Sequence, residues 1–148
     1  MKNKIPPPIV TLFFGLCIYF SHEYFQEFNL EFLTTLSYIS YIAGLSILVW
    51  AVRLFKKQNT TVNPIKIENA SSLVVSGVFK YSRNPMYLGM LMIIISTSIF
   101  YLNIYSILTP FLFVFWINKF QIKREEIFLT EKFGKEYLSY KNKTRRWL

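Results

Sequence analysis

Apolar positions along the chain gather into four runs separated by polar stretches, and these runs predict helices near residues 5–21, 32–55, 86–102 and 104–118. The second is the clearest, because its only charge is Arg53, close to its end. A helix that crosses a bilayer needs roughly 17–25 mostly apolar residues. The other three runs sit near or below that length, so they must recruit flanking residues, stand nearly upright or thin the bilayer locally. Residues 56–85 read as a long cytosolic loop, turn-rich at Asn59, Asn63, Pro64 and Asn69, with a short apolar stretch at residues 73–75 closed by Gly77. Beyond the fourth run the period changes. Leu129, Phe133, Tyr137 and Tyr140 recur at spacings of four, four and three among charged residues, which predicts an amphipathic cytosolic helix over 119–141, ended or kinked at Gly134. The expected fold is all-α: one domain over 1–148, a multi-pass membrane bundle of about four spans carrying that C-terminal helix.

Composition supports a membrane setting, since 53% hydrophobic and 19% aromatic residues lie outside the usual range of a small soluble domain. Charge then orients the chain. Of its 17 basic residues, Lys2 and Lys4 precede the first run, six run from Arg53, near the end of the second, to Arg83, just before the third, and the other nine follow the fourth. The connection between the first two runs carries Glu23, Glu27 and Glu31 and no basic residue. By the positive-inside rule both termini and the long loop are cytoplasmic. The net charge of +9 is accounted for by topology and anionic headgroups, so it calls for no nucleic-acid partner. Pro6, Pro7 and Pro8 ahead of the first run, with no small-residue cleavage site after it, predict a retained helix rather than a signal peptide. Nothing suggests an internal organelle, so a prokaryotic plasma membrane is the expected location. Cys17 is the sole cysteine and His22 the sole histidine, which leaves no Cys/His metal set; there is also no glycine-rich phosphate loop and no nucleophilic triad.

Two polar clusters remain. In GVFKYSRNPMYLG, residues 77–89, Pro85 suits the first position of a helix, Asn84 is then its N-cap candidate, and Arg83 can snorkel to phosphates. That leaves Tyr87 and Gly89 unexplained. In QIKREEIFL, residues 121–129, Gln121 and Glu125 share one helix face while Glu126 points elsewhere. A carboxylate among so many basic neighbours is either a solvated ion-pair partner or one kept for a cationic ligand. The closing KNKTRRWL, with Trp147, reads as a tether at headgroup level.

Taken in order, SSLVVSGVFKYSRNPMYLG (residues 71–89) and REEIFLTEKFGKEYLSYKNKTRRWL (residues 124–148) resemble the isoprenylcysteine carboxyl methyltransferase and phospholipid methyltransferase superfamily of small integral-membrane enzymes. The resemblance covers about residues 60–148. It implies S-adenosyl-L-methionine as cofactor, bound without a Rossmann domain in a pocket open to the cytosol, and methyl transfer to a lipophilic acceptor held in the bilayer. Cofactor contacts are implied at Ser71, Ser72, Leu73, Val74, Phe79, Asn84, Pro85, Met86, Tyr87 and Glu125. The acceptor side falls on Gln121 and Arg83, with Arg83 and Tyr87 as catalytic residues. Histidine is commoner where Asn84 stands, and an arginine is expected where Gln121 stands; the second change removes a cation suited to a carboxylate acceptor. Methyl transfer needs orientation and exclusion of water rather than a metal. Two further readings stay open: an NADPH-dependent membrane lipid or sterol reductase, and an inactive scaffold of the same fold. A transporter subunit would need polar groups deep in several spans. The acceptor and the oligomeric state are unreadable from sequence.

Overall fold

A computed structural model describes residues 5–26, 28, 31–58 and 71–148, and over these the protein is all-helical. Helix α1, Pro7–Ser21, begins after the extended Pro6, so Pro7 and Pro8 lie in its first turn, where a missing N–H costs nothing. Helix α2, Glu31–Lys57, carries Glu31 in its first turn and Lys56 and Lys57 in its last, each complementing the helix dipole. Residues 59–70 of the predicted loop, Glu27 and the basic N-terminal pair lie outside the described residues. A 3₁₀ turn, Gly77–Lys80, follows, with Gly77 at φ +59°, a conformation that favours glycine. Helix α3 is Pro85–Phe100 and α4 is Ile104–Ile117.

The chain does not break after α4. A π-turn, Asn118–Ile122, leads straight into α5, Lys123–Lys143, so the C-terminal helix predicted from residue 119 is the continuation of the last apolar one. Gly134 bends α5 at φ 49°, ψ −120°. A Cβ there would meet nothing within 4 Å, so glycine serves the backbone angle and not packing.

Helices α2 and α3 touch backbone to backbone. A Cβ on Gly44 would lie 2.7 Å from the Gly89 carbonyl oxygen, and one on Gly89 would lie 2.7 Å from that of Gly44. This explains Gly89. Ser40 Oγ donates to the Met92 carbonyl at 3.0 Å, and Ser96 Oγ to the Ser37 carbonyl at 2.8 Å, across the same seam. Small residues with a hydroxyl are how helices associate where lipid removes the hydrophobic drive between them. The far end is closed by Asn103, fully buried, which forms a capping box with Ser106 and donates to Ser21 Oγ at 3.0 Å.

Two apolar clusters result. One joins Val10 and Ile18 to Tyr87, Met90, Ile94, Phe113, Ile117 and Ile122; the other joins Ala51, Val74, Val78, Phe79, Tyr137 and Tyr140. Meanwhile the outer faces of α1, α2 and α4 are apolar and open: Phe13 is 61% exposed, Ile42 64% and Phe111 71%. By length and composition α2 is able to cross a bilayer, whereas Pro7–Ser21 and Pro85–Phe100 are shorter apolar helices. Between α3 and α4 runs an apolar groove of about 340 Å³, lined by Leu91, Ile95, Ile99, Ile107, Phe111 and Val114 among others.

Replacing Gly44 with Leu is expected to lower stability by about 1–3 kcal/mol or more through overpacking against the Gly89 carbonyl. Thermal unfolding in detergent checks this, with Gly15→Leu, where a Cβ meets nothing within 4 Å, expected to unfold near the wild-type temperature.

Candidate functional site

The site forms where the start of α3 meets the π-turn and the start of α5. A π-turn holds more residues per turn than an α-helix and such turns recur at functional sites. This one contains Gln121, buried at 3% exposure, and stands one turn before Glu125. Tyr87, two residues into α3, donates its hydroxyl to Glu125 Oε1, and Gln121 Nε2 donates to the same oxygen at 2.7 Å. Both donors are neutral. Burial pushes the Glu125 carboxyl up to about 7; the bonds from Tyr87 and Gln121 offset part of that, and the charge of Glu126 adds to it.

Glu126 has the opposite fate. It accepts from Arg83 Nη2 at 2.8 Å and from Arg146 through two bonds, Nε at 3.0 Å and Nη2 at 2.7 Å. Burial raises its pKa, but the hydrogen bonds of Arg146 and then Arg83 outweigh burial and hold the carboxyl below its usual range. Of the two readings of a carboxylate here, the ion pair belongs to Glu126, and it is buried rather than solvated: the Arg83 and Glu126 side chains are 9% and 11% exposed.

Two expectations need correction, and a third residue gains a distant partner. Asn84 does not cap α3 through its side chain; its Nδ2 donates instead to the Arg146 carbonyl at 2.9 Å. Arg83 does not snorkel outward, because Nη1 donates to the carbonyls of Lys141, at 3.0 Å, and Thr144, at 2.7 Å. Trp147, at the end of the C-terminal segment, donates its Nε1 to Asn118 Oδ1 at 3.3 Å, and its indole packs on the first apolar cluster. In the first two cases a partner distant in sequence captures a group that local rules send elsewhere.

The remaining predicted contacts divide by position. Val74 and Phe79 are buried in the second cluster with Leu73 and Met86 against it, Phe79 edge-on to Phe55 at 5.2 Å between ring centroids. Pro85 is buried at the first position of α3. Ser72 Oγ donates to the Gln58 carbonyl at 3.5 Å, and Ser71 is exposed. Tyr140 donates to the Phe79 carbonyl at 2.7 Å, fixing the 3₁₀ turn against α5. The structure therefore joins Tyr87, Gln121 and Glu125 directly, gathers Leu73, Val74, Phe79 and Met86 in the second apolar cluster, and pairs Arg83 and Asn84 with the C-terminal segment. Sequence reasoning missed the pairing of Glu126 with Arg83 and Arg146; the two motifs hold four arginines and four glutamates, so their composition does not say which of them meet. Among the described residues no group of His, Cys, Asp and Glu could hold a metal ion.

A family model described as phospholipid methyltransferase matches residues 32–136. A protein of Haemophilus influenzae described as uncharacterized is 46% identical over 63 residues, covering 43% of this chain and 100% of that protein. The protein-S-isoprenylcysteine O-methyltransferase of Saccharomyces cerevisiae is 44% identical over 81 residues, which cover 53% of this chain and only 33% of the yeast protein. The family match takes in α2, α3, α4 and the start of α5, with Arg83, Asn84, Tyr87, Gln121 and Glu125 all inside it. With most of its length in that match and both polar motifs within the shared helices, the chain belongs to the phospholipid methyltransferase family, within the superfamily that includes the isoprenylcysteine methyltransferases.

Proposed function

We propose that the protein is an S-adenosyl-L-methionine-dependent methyltransferase acting on a lipophilic acceptor held in the bilayer. The observation that carries this reading is Glu125, a half-buried carboxylate hydrogen-bonded by Tyr87 and Gln121, both neutral, while its neighbour Glu126 takes both arginines. A carboxylate so placed lacks a countercharge. The cofactor supplies one, together with an electrophilic methyl group on its sulfonium. Leu73, Val74, Phe79 and Met86 offer an apolar wall for an adenine, and Asn84 and the backbone near Ser71, Ser72 and Pro85 offer hydrogen-bonding groups. Tyr87 and Gln121 orient the Glu125 carboxylate.

The exposed apolar faces of α1, α2 and α4 support a multi-pass membrane protein, because a water-facing domain rarely leaves apolar surface of this extent uncovered. With both termini cytoplasmic, a pocket at the start of α3 faces the cytosol, where the cofactor is, and the α3–α4 groove, beginning one turn past Tyr87 at Leu91, faces the acyl chains. The name of the yeast relative supports a lipid-modified acceptor. Gln121, neutral and engaged with Glu125, favours an acceptor other than a carboxylate.

Calorimetry on detergent-purified protein tests the reading. Micromolar binding of S-adenosylmethionine is expected, and Glu125→Gln should weaken it about tenfold or more, roughly 1.4 kcal/mol; folded protein that binds nothing overturns the proposal. Tyr87→Phe, which removes a donor to a charged acceptor, should cost about 1.5–3 kcal/mol of cofactor affinity and leave the unfolding temperature nearly unchanged. A cationic ligand requires ionised Glu125, so affinity should rise with pH up to about 7 and then level off. Stability without ligand should run the other way. A carboxyl raised from 4.5 to about 7 on folding makes the unfolded chain bind fewer protons between those values, so stability falls as pH rises through them.

A further inference from the structure

After α5 the chain turns extended at Thr144, φ −125° and ψ 132°, and lies back across the start of α3 as a strap. Three successive carbonyls of the strap are taken by one short segment. Arg83 Nη1 donates to that of Thr144 at 2.7 Å and the Arg83 backbone N–H to that of Arg145 at 2.9 Å; Asn84 Nδ2 donates to that of Arg146 at 2.9 Å, with Ser82 Oγ at 3.4 Å. The Arg146 side chain grips Glu126 with two bonds, and Trp147 reaches Asn118 in the π-turn. A headgroup tether needs none of these contacts. They join the strap to both halves of the site.

Their effect on the two motif residues is specific. The Asn84 amide has its Nδ2 on the strap, so Oδ1, an acceptor, is the atom turned away from it. Arg83 has both terminal nitrogens engaged, yet its Nε is buried and is the one such side-chain polar atom without a hydrogen-bond partner among the described residues. Buried donors of this kind are rare and want an explanation. Two arginines against one carboxylate also leave a surplus positive charge at this spot.

We propose that the Arg146–Glu126 pair is a positioning device for the amino-acid end of the cofactor: it holds Arg83 so that Nε–H meets a carboxylate, and Asn84 so that Oδ1 meets an ammonium. The proposal rests on the cofactor reading above and moves Arg83 from the acceptor side, where the resemblance put it, to the cofactor side. Arg146 itself touches no ligand and lies beyond residues 32–136 of the family match.

The test compares two ligands by calorimetry. S-adenosylhomocysteine carries the amino-acid end, and methylthioadenosine has the same nucleoside thioether without it. Arg146→Ala is expected to weaken S-adenosylhomocysteine binding about tenfold and to leave methylthioadenosine binding unchanged, because only the first ligand uses Arg83 Nε and Asn84 Oδ1. Equal loss for both ligands, or loss for neither, overturns the strap's positioning role while leaving the cofactor reading intact. Wild-type protein that binds neither ligand overturns the cofactor reading and this proposal with it. Should Arg146→Ala fail to fold, Arg146→Lys, which keeps the charge and loses the two-pronged grip, is expected to show the same ligand-selective loss at smaller size. Absence of selectivity in that variant overturns the proposal equally.

Discussion

Neighbouring residues on a helix face directions about 100° apart, and the site depends on what that separation does to Glu125 and Glu126. One carboxylate meets Arg83 and Arg146; the other meets only the tyrosine and amide donors of Tyr87 and Gln121. Had both faced the arginines, the pair would be an ordinary charge cluster. Because they diverge, Glu126 becomes a structural anchor with a lowered pKa, and Glu125 is left raised to about 7 with no basic side chain bonded to it. Strongly shifted groups are candidates for function, and here geometry separates two adjacent glutamates, one paired with arginines and one left without a countercharge.

That divergence is useful only because the surrounding elements are held to close tolerance. The Gly44–Gly89 contact lets α2 and α3 meet backbone to backbone, two residues beyond Tyr87, so the start of α3 is placed by main-chain contact rather than by adaptable side chains. At the far end Asn103, Ser106 and Ser21 satisfy one another's polar groups inside the protein, while large apolar side chains face outward. A bilayer makes that inverted arrangement favourable. The same rigid α4–π-turn–α5 rod then carries Gln121 and Glu125 from the apolar layer to Tyr87.

Much of this was legible along the chain because it depends on near neighbours. Pro7 and Pro85 mark helix starts, Gly134 marks a bend, and the four-residue spacing of Gln121 and Glu125 puts them on one face. The two motifs were sufficient for the family. Asn84 shows where local rules stop: the Asn-Pro pair reads as a cap, but the carbonyl of Arg146, 62 positions away, takes the amide. Arg83 was misdirected for the same reason, drawn inward by a partner far along the chain.

The sequence by itself determined an all-helical chain, the order of its apolar runs, the placement of its basic residues and its membership of a methyltransferase family, since each follows from composition, period or a contiguous motif. Tertiary structure decided which glutamate is paired with arginines and which is not, why Gly89 is glycine, and that the C-terminal segment packs against the start of α3. Those depend on side chains separated by 20 to 62 positions meeting across a fold, and no pattern of neighbours along a chain specifies such meetings.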